Sequence, residues 1–179
     1  SVDFARLHQG DSRRRVAAPS YPFERQRFWV AAQAAPVAND NAAAAATAAD
    51  AVDRASSRPD FVVLGYPVIS MTEPWTHQGS KTNLLGSTPD PALARSLSGE
   101  QAVIKDTPPT FIFQTNADTA VPAENSVYYY LALRRMGVPA ELHIFEKGPH
   151  GVGLANDDAA LSEWSKLLAN WLRGRGIVK

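Results

Sequence analysis

An α/β fold built on a parallel sheet is expected from three features: apolar runs at 61–66 and 110–115, an alternating run at 140–146, and helical apolar spacing in the segments between and after them. The first run, Phe-Val-Val-Leu-Gly-Tyr, is continuous and is closed by Pro67, the pattern of a strand buried on both faces near the centre of a parallel sheet. The second, Thr-Phe-Ile-Phe-Gln-Thr, is entered through Pro108 and Pro109. Residues 123–136 read as a helix stopped at Gly137, a left-handed C-cap. The 140–146 run alternates, which places it near an edge or exposes one of its faces. Leu161, Trp164, Leu168, Trp171 and Leu172 fall on one helical face, with Asn156, Asp157 or Asp158 available to cap the start and Gly174 to end it. Strands alternating with helices predict parallel pairing.

The 179 residues suit one domain, or a small domain with a tail. Eighteen basic and eighteen acidic side chains leave no net charge, and no basic stripe is present, so no nucleic-acid partner is expected. The absence of Cys excludes disulfides, thiolate metal sites and a Cys nucleophile, and fits a reducing compartment, so the expected location is the cytoplasm. No run approaches the ~18 apolar residues of a membrane span, so no membrane partner is expected. Ser1-Val2-Asp3-Phe4 has neither an initiator Met nor a signal-peptide layout, and the chain reads as one entered in the middle. Composition divides it into three zones: an aromatic and Arg-rich arm at 1–30, an alanine-rich linker at 31–52 and a globular zone at 53–179. The alanines at 42–46 are fewer than the ~12–15 residues an isolated helix needs, which favours a linker with transient helix. The alternative is a helix packed by alanine on the next segment, if the globular part begins at Thr47.

The chemistry-bearing residues gather in two loops. Asn116-Ala117-Asp118-Thr119-Ala120-Val121-Pro122 follows the 110–115 strand, and Lys147-Gly148-Pro149-His150-Gly151 follows the 140–146 strand. A crossover through the intervening helix makes these strands parallel, so both loops open at the carboxyl edge of the sheet, where open α/β sheets bind ligands. Asp118 can then reach His150 across 32 positions, and a carboxylate that orients an imidazole is two-thirds of a Ser-His-Asp triad. The plainer alternative makes Asp118 a helix cap and His150 an ordinary loop histidine. His143 alternates with apolar neighbours and reads as surface or partly packed, Trp164 and Trp171 as core anchors, and Tyr128-Tyr129-Tyr130 must point three ways around a helix. Ser70 and Ser80 stand in no strand-turn-helix elbow, and Ser56-Ser57 precede the first strand, at the wrong end of the sheet.

Asp118-x-x-Val121-Pro122, then a helix, a strand and Gly148-x-His150-Gly151, resembles the end of the α/β-hydrolase fold. Arg58-Pro59-Asp60-Phe61, Tyr66-Pro67-Val68-Ile69-Ser70-Met71 and His77-x-Gly79-Ser80-x-x-Asn83-Leu84-Leu85-Gly86 resemble its acetyl-esterase branch, whose members include acetylxylan-esterase-like and prolyl-oligopeptidase-like serine hydrolases. The resemblance covers residues ~50–179. It implies a partial α/β-hydrolase fold, the last strands and helices of a doubly wound sheet. It further implies a carboxylic ester hydrolase working through an acyl-enzyme, with Asp118 as triad acid, His150 as general base, a small acyl ester as substrate and no cofactor or metal. His77 would touch the acyl or leaving group, or make a structural polar contact. The sequence departs from the family in holding no G-x-S-x-G, so the expected product is a truncated serine carboxylesterase, inactive alone, with a sheet edge open to self-association.

Residues 1–30 carry a different likeness. Arg14-Arg15-Val16-Ala17-x-Pro19-Ser20-Tyr21-Pro22-Phe23-x-Arg25-x-Arg27-Phe28-Trp29 resembles the linker after the acyltransferase domain of modular type I polyketide synthases. In that family the segment is a structural strap and not catalytic. The alternative reading of the whole chain is therefore a non-catalytic linker or docking fragment of a polyketide synthase assembly line.

Overall fold

The computed structural model describes residues 58–179, which lie in the second of the chain's two units, Gln33–Lys179. The arm at 1–30, its polyketide-synthase likeness, the linker at 31–52 and Ser56-Ser57 fall outside the described residues. Three parallel strands, β1 (Val62–Gly65), β2 (Thr110–Thr115) and β3 (Ala140–Phe145), stand in the order β1-β2-β3. Between β1 and β2 come two short helices, α1 (Gln78–Leu85) and α2 (Pro91–Ser96), and a 3-10 turn at Gly99–Gln101. Helix α3 (Glu124–Arg135) joins β2 to β3, and α4 (Glu163–Gly174) closes the chain.

All six β2 residues are buried, because this strand is paired on both sides and covered on both faces. Leu64, Ile112 and Leu142 are in register across the three strands and face α3, where Ala132 and Leu133 pack with Val103 and Val138. The alternate β2 residues, Phe111 and Phe113, face α4 and meet Trp171 and Trp164. This is the doubly covered arrangement the apolar runs predict. The three tyrosines do diverge: Tyr128 stacks on Trp75, Tyr129 packs into the α3 core and Tyr130 lies beneath Arg134.

Several boundaries differ from expectation. The first strand is shorter than 61–66 because Tyr66 adopts φ 41°, outside the extended region, and Pro67 has no N–H to continue a ladder. Nor is β1 buried on both faces: Val63 is 37% exposed, since among the described residues this strand pairs only with β2. The third strand ends at Phe145, one residue short, and among the described residues it lies at an edge of the sheet, one of the two placements its alternation suggests. Helix α3 stops at Gly137 as expected, in a Schellman closure: Gly137 N–H donates to Arg134 O, and Val138 N–H to Leu133 O. The same closure ends α4, but at Gly176 rather than Gly174; the left-handed residue must lie beyond the C-cap, and Gly174 is still helical. At the other end, Asp158 caps the turn before α4, accepting from Ala160 and Leu161 N–H, while Ser162 occupies the helix N-cap. Helix α2 carries a start signal legible in the sequence, Asp90 followed by Pro91 at the first helical position. No described helix is long and apolar enough to cross a membrane.

The packing predicts how stability is distributed. Leu133, wholly buried between α3 and the sheet, should cost about 2–5 kcal/mol on replacement by Ala, whereas Leu84→Ala, 59% exposed on α1, should change stability by about 0.5 kcal/mol or less. Urea denaturation of the two variants measures the contrast.

Candidate active site

β2 and β3 are adjacent and parallel, so the loops after Thr115 and Phe145 leave the same edge of the sheet. The Asn116 N–H donates to Phe145 O at 2.7 Å and ties the two exits together. Asp118 lies one turn further on, its side chain fully buried. Its two oxygens have separate tasks. Oδ1 accepts from the N–H groups of Ala120 and Val121, both at 2.9 Å, and shapes the turn that leads into α3. Oδ2 lies 2.7 Å from His150 Nδ1 and 3.4 Å from the Gln114 amide. Asp118 is thus the imidazole partner but not the cap of the following helix, whose N-cap is Ala123 with no side-chain bond; its Oδ1 closes the turn two residues earlier instead.

The loop bearing His150 is shaped by glycine. Gly148 has φ 129°, and a Cβ there would lie 2.8 Å from Leu161 Cδ1 and 2.9 Å from Thr115 Cγ2. Only a bare residue lets the chain cross so close to the end of β2. Gly151, on the other side of Pro149-His150, has φ 76°. Between these two glycines His150 is presented at the sheet edge with 39% of its side chain exposed.

Burial of Asp118 pushes its carboxyl pKa up, but the N–H groups of Val121 and Ala120 and the His150 ring favour the charged form and leave the pKa below the ordinary 3.8. The group is therefore ionised at neutral pH. An ionised carboxylate only accepts hydrogen bonds, so Nδ1 of His150 carries a proton, and in the neutral ring Nε2 then keeps its lone pair. An exposed imidazole in that tautomer, held from behind by a buried carboxylate, is competent to take a proton at Nε2.

The remaining residues singled out in the sequence are placed elsewhere. His77 is the N-cap of α1: its Nδ1 accepts from Ser80 N–H at 3.2 Å and lies 2.9 Å from the Ser80 hydroxyl. The structure does not bring it into the Asp118–His150 pair. Ser70 is buried, donates to Glu100 Oε1 at 2.9 Å and accepts from Thr72 and Glu73 N–H. His143 is partly packed, with Nε2 2.7 Å from Glu141 and its ring against Phe111.

Two supporting residues escaped the sequence reading. Gln114, fully buried in β2, donates to Val121 O at 2.8 Å while its amide also reaches Asp118. Its signal was a lone amide in an otherwise apolar run. Asn125, in the first turn of α3, accepts from Ile69 and Ser70 N–H and donates to Trp75 O and Pro122 O, joining the loop after β1 to the helix after Asp118. Nothing local in the sequence marks it. Among the described residues no group of three or more His, Asp or Glu side chains could hold a metal ion.

A parallel sheet covered on both faces, with an Asp–His pair on the loops after its last two described strands, is the arrangement of the α/β-hydrolase fold. Residues 45–175 match the prolyl oligopeptidase family, and the chain belongs to it. An acetyl ester-xyloside bifunctional hydrolase from Caldicellulosiruptor lactoaceticus is 48% identical, with a TM-score of 0.72 over 74% of this chain and 48% of its own. A carboxylesterase from Lactobacillus plantarum is 27% identical, with a TM-score of 0.60 over 69% of this chain and 47% of its own. The acetylxylan esterase of Xylanibacter ruminicola is 38% identical over 120 residues, 65% of this chain and 25% of that protein. Endo-1,4-beta-xylanase B of Butyrivibrio fibrisolvens is 44% identical over 110 residues, 62% of this chain and 17% of that protein. The chain spans about half the length of these solved structures and a quarter or less of the curated relatives.

Because the Asp118 pKa is lowered in the folded state, its stabilising contribution is present above the ordinary carboxylate value and is lost as pH falls through the lower folded value. Asp118→Asn should therefore destabilise the chain by on the order of 1–3 kcal/mol at pH 7, with the difference shrinking towards pH 3 and below. Urea denaturation of both proteins at the two pH values checks the sign.

Proposed function

We propose that this chain supplies the acid and base of a serine-dependent carboxylic ester hydrolase, with Asp118 orienting His150 and His150 Nε2 removing the proton of a serine. The observation that carries this reading is the 2.7 Å contact from His150 Nδ1 to a buried, otherwise saturated carboxylate. In such a reaction the serine oxygen attacks the ester carbonyl while its proton moves to Nε2. His150 then returns that proton to the departing alcohol, and water reverses the sequence on the acyl-enzyme. Acetylated sugars are the proposed substrate class, which the relatives described as an acetylxylan esterase and an acetyl ester-xyloside hydrolase support. No G-x-S-x-G occurs in the 179 residues, and Ser70 is buried and engaged, so nucleophile and oxyanion donors would have to come from another segment. His77 is more simply read as a helix cap than as a substrate contact.

Two experiments address this reading. The 179-residue chain alone should give no stoichiometric labelling by a fluorophosphonate; labelling abolished by Ser70→Ala or Ser80→Ala would reverse it. A chimera joining the amino-terminal half of the Caldicellulosiruptor lactoaceticus hydrolase to this chain's hydrolase segment should cleave an acetyl ester, and His150→Gln should lower kcat by at least ~10³-fold. A chimera that folds but is inactive with His150 present would reject the assignment.

We further propose that the chain alone associates with itself through β1. This strand pairs only with β2 among the described residues and exposes Val63, leaving an edge able to accept another strand. Light scattering should show species larger than a monomer, and a monodisperse monomer with a sharp cooperative melt would reject the proposal.

A further inference from the structure

We infer that Tyr66 is a positioning residue for His150: it holds the plane of the imidazole whose Nδ1 is fixed by Asp118. The inference rests on the reading of His150 as a general base and adds to it the residue that orients the ring.

The first observation is strain. Tyr66 has φ 41°, a left-handed conformation that costs a bulky L-residue about 1–2 kcal/mol. Its N–H donates to Phe113 O at 2.8 Å and Pro67 follows it, so the backbone is tied on both sides. Glycine would take this conformation without penalty, and a tyrosine retained there has to gain through its side chain.

The second observation is where that side chain goes. The ring lies in a T-shaped contact with His150, centroids 4.9 Å apart at 68°, and in a second with Phe113 at 5.3 Å and 84°. Phe113 stacks on Trp164 at 4.2 Å and 9°, and Trp164 Nε1 donates to Gly153 O, three residues beyond His150. The aromatic series Trp164–Phe113–Tyr66 therefore begins on the His150 loop and returns to the His150 ring. Gly65 makes room for it, since a Cβ there would lie 2.8 Å from Phe113 Cε1.

The third point is what the Asp118 contact leaves undetermined. One hydrogen bond fixes the position of Nδ1 but not the rotation of the ring about that contact, and the His150 side chain is 39% exposed. A second, rigid contact against the ring removes that freedom and aims Nε2 in one direction. Reaction rates depend steeply on such aim, with a misplacement of about 1 Å costing up to ~100-fold.

Nitrogen-15 NMR of the full chain tests this without relying on activity. The chain has four histidines, and the His150 signals are assigned with His150→Gln. The native chain and Tyr66→Phe should show the same Nδ1-protonated tautomer with a slowly exchanging proton, because Phe keeps both ring contacts. Tyr66→Asn, which tolerates the left-handed backbone, should lose that slow proton to exchange with water. Tyr66→Leu serves the same comparison if the Asn variant does not fold. A folded Asn or Leu variant that keeps the native His150 tautomer and slow proton exchange would overturn the inference. In the ester-cleaving chimera, Tyr66→Asn should lower kcat about tenfold or more with KM unchanged, and Tyr66→Phe should restore it. A chimera that folds but is inactive with Tyr66 in place would reject the hydrolase reading, while the NMR comparison still decides the role of Tyr66.

Discussion

The divided carboxylate of Asp118 is the interaction on which the carboxyl edge of this sheet depends. One oxygen closes the turn between β2 and α3, and the other holds the His150 loop after β3. The turn into α3 and the placement of the imidazole are coupled through a single buried carboxylate. That charge is tolerable because its oxygens accept from two backbone N–H groups, the imidazole and the Gln114 amide.

The surrounding architecture serves the same constraint. Parallel pairing of β2 with β3 brings both loops to one edge, and α3 on one face with α4 on the other keeps the central strand dry. Bare backbone is used where approach is closest: Gly148 lets the His150 loop pass Thr115 and Leu161, and Gly65 lets the Phe113 ring lie over β1. Asn125 performs a comparable task in polar terms, satisfying the backbone of the loop after β1 from the first turn of α3. A buried amide bonded on both its oxygen and its nitrogen stabilises a loop that would otherwise leave backbone groups unpaired.

Membership of the prolyl oligopeptidase family and a described portion matching about half of its solved relatives give the geometry a defined meaning. The Asp–His pair is fully formed within this portion, since both residues lie on loops from adjacent strands of one sheet. On the proposed reading, its reaction partner is a serine brought to Nε2 of His150, whose side chain is 39% exposed.

Local patterning carried most of the elements. The 110–115 run, the helix before Gly137 and the apolar spacing of Leu161, Trp164, Leu168, Trp171 and Leu172 were legible because periodicity and capping act over a few residues. The contact of Asp118 with His150 was foreseeable for a different reason: two parallel strands joined by one helix bring their following loops to the same edge, where the two residues can meet. The sequence did not reveal the left-handed Tyr66, the exposure of β1, the role of Gly176 in place of Gly174, or the bonds of Gln114 and Asn125. Each depends on contacts between residues far apart in the chain, or on which of two nearby glycines falls beyond the last helical turn. Periodicity and spacing by themselves determined the α/β class and that Asp118 and His150 could meet, while their roles as acid and base were implied by the family resemblance. Only the tertiary structure decided how one carboxylate divides its oxygens and which ring lies against the imidazole, because those outcomes are set by packing rather than by local preference.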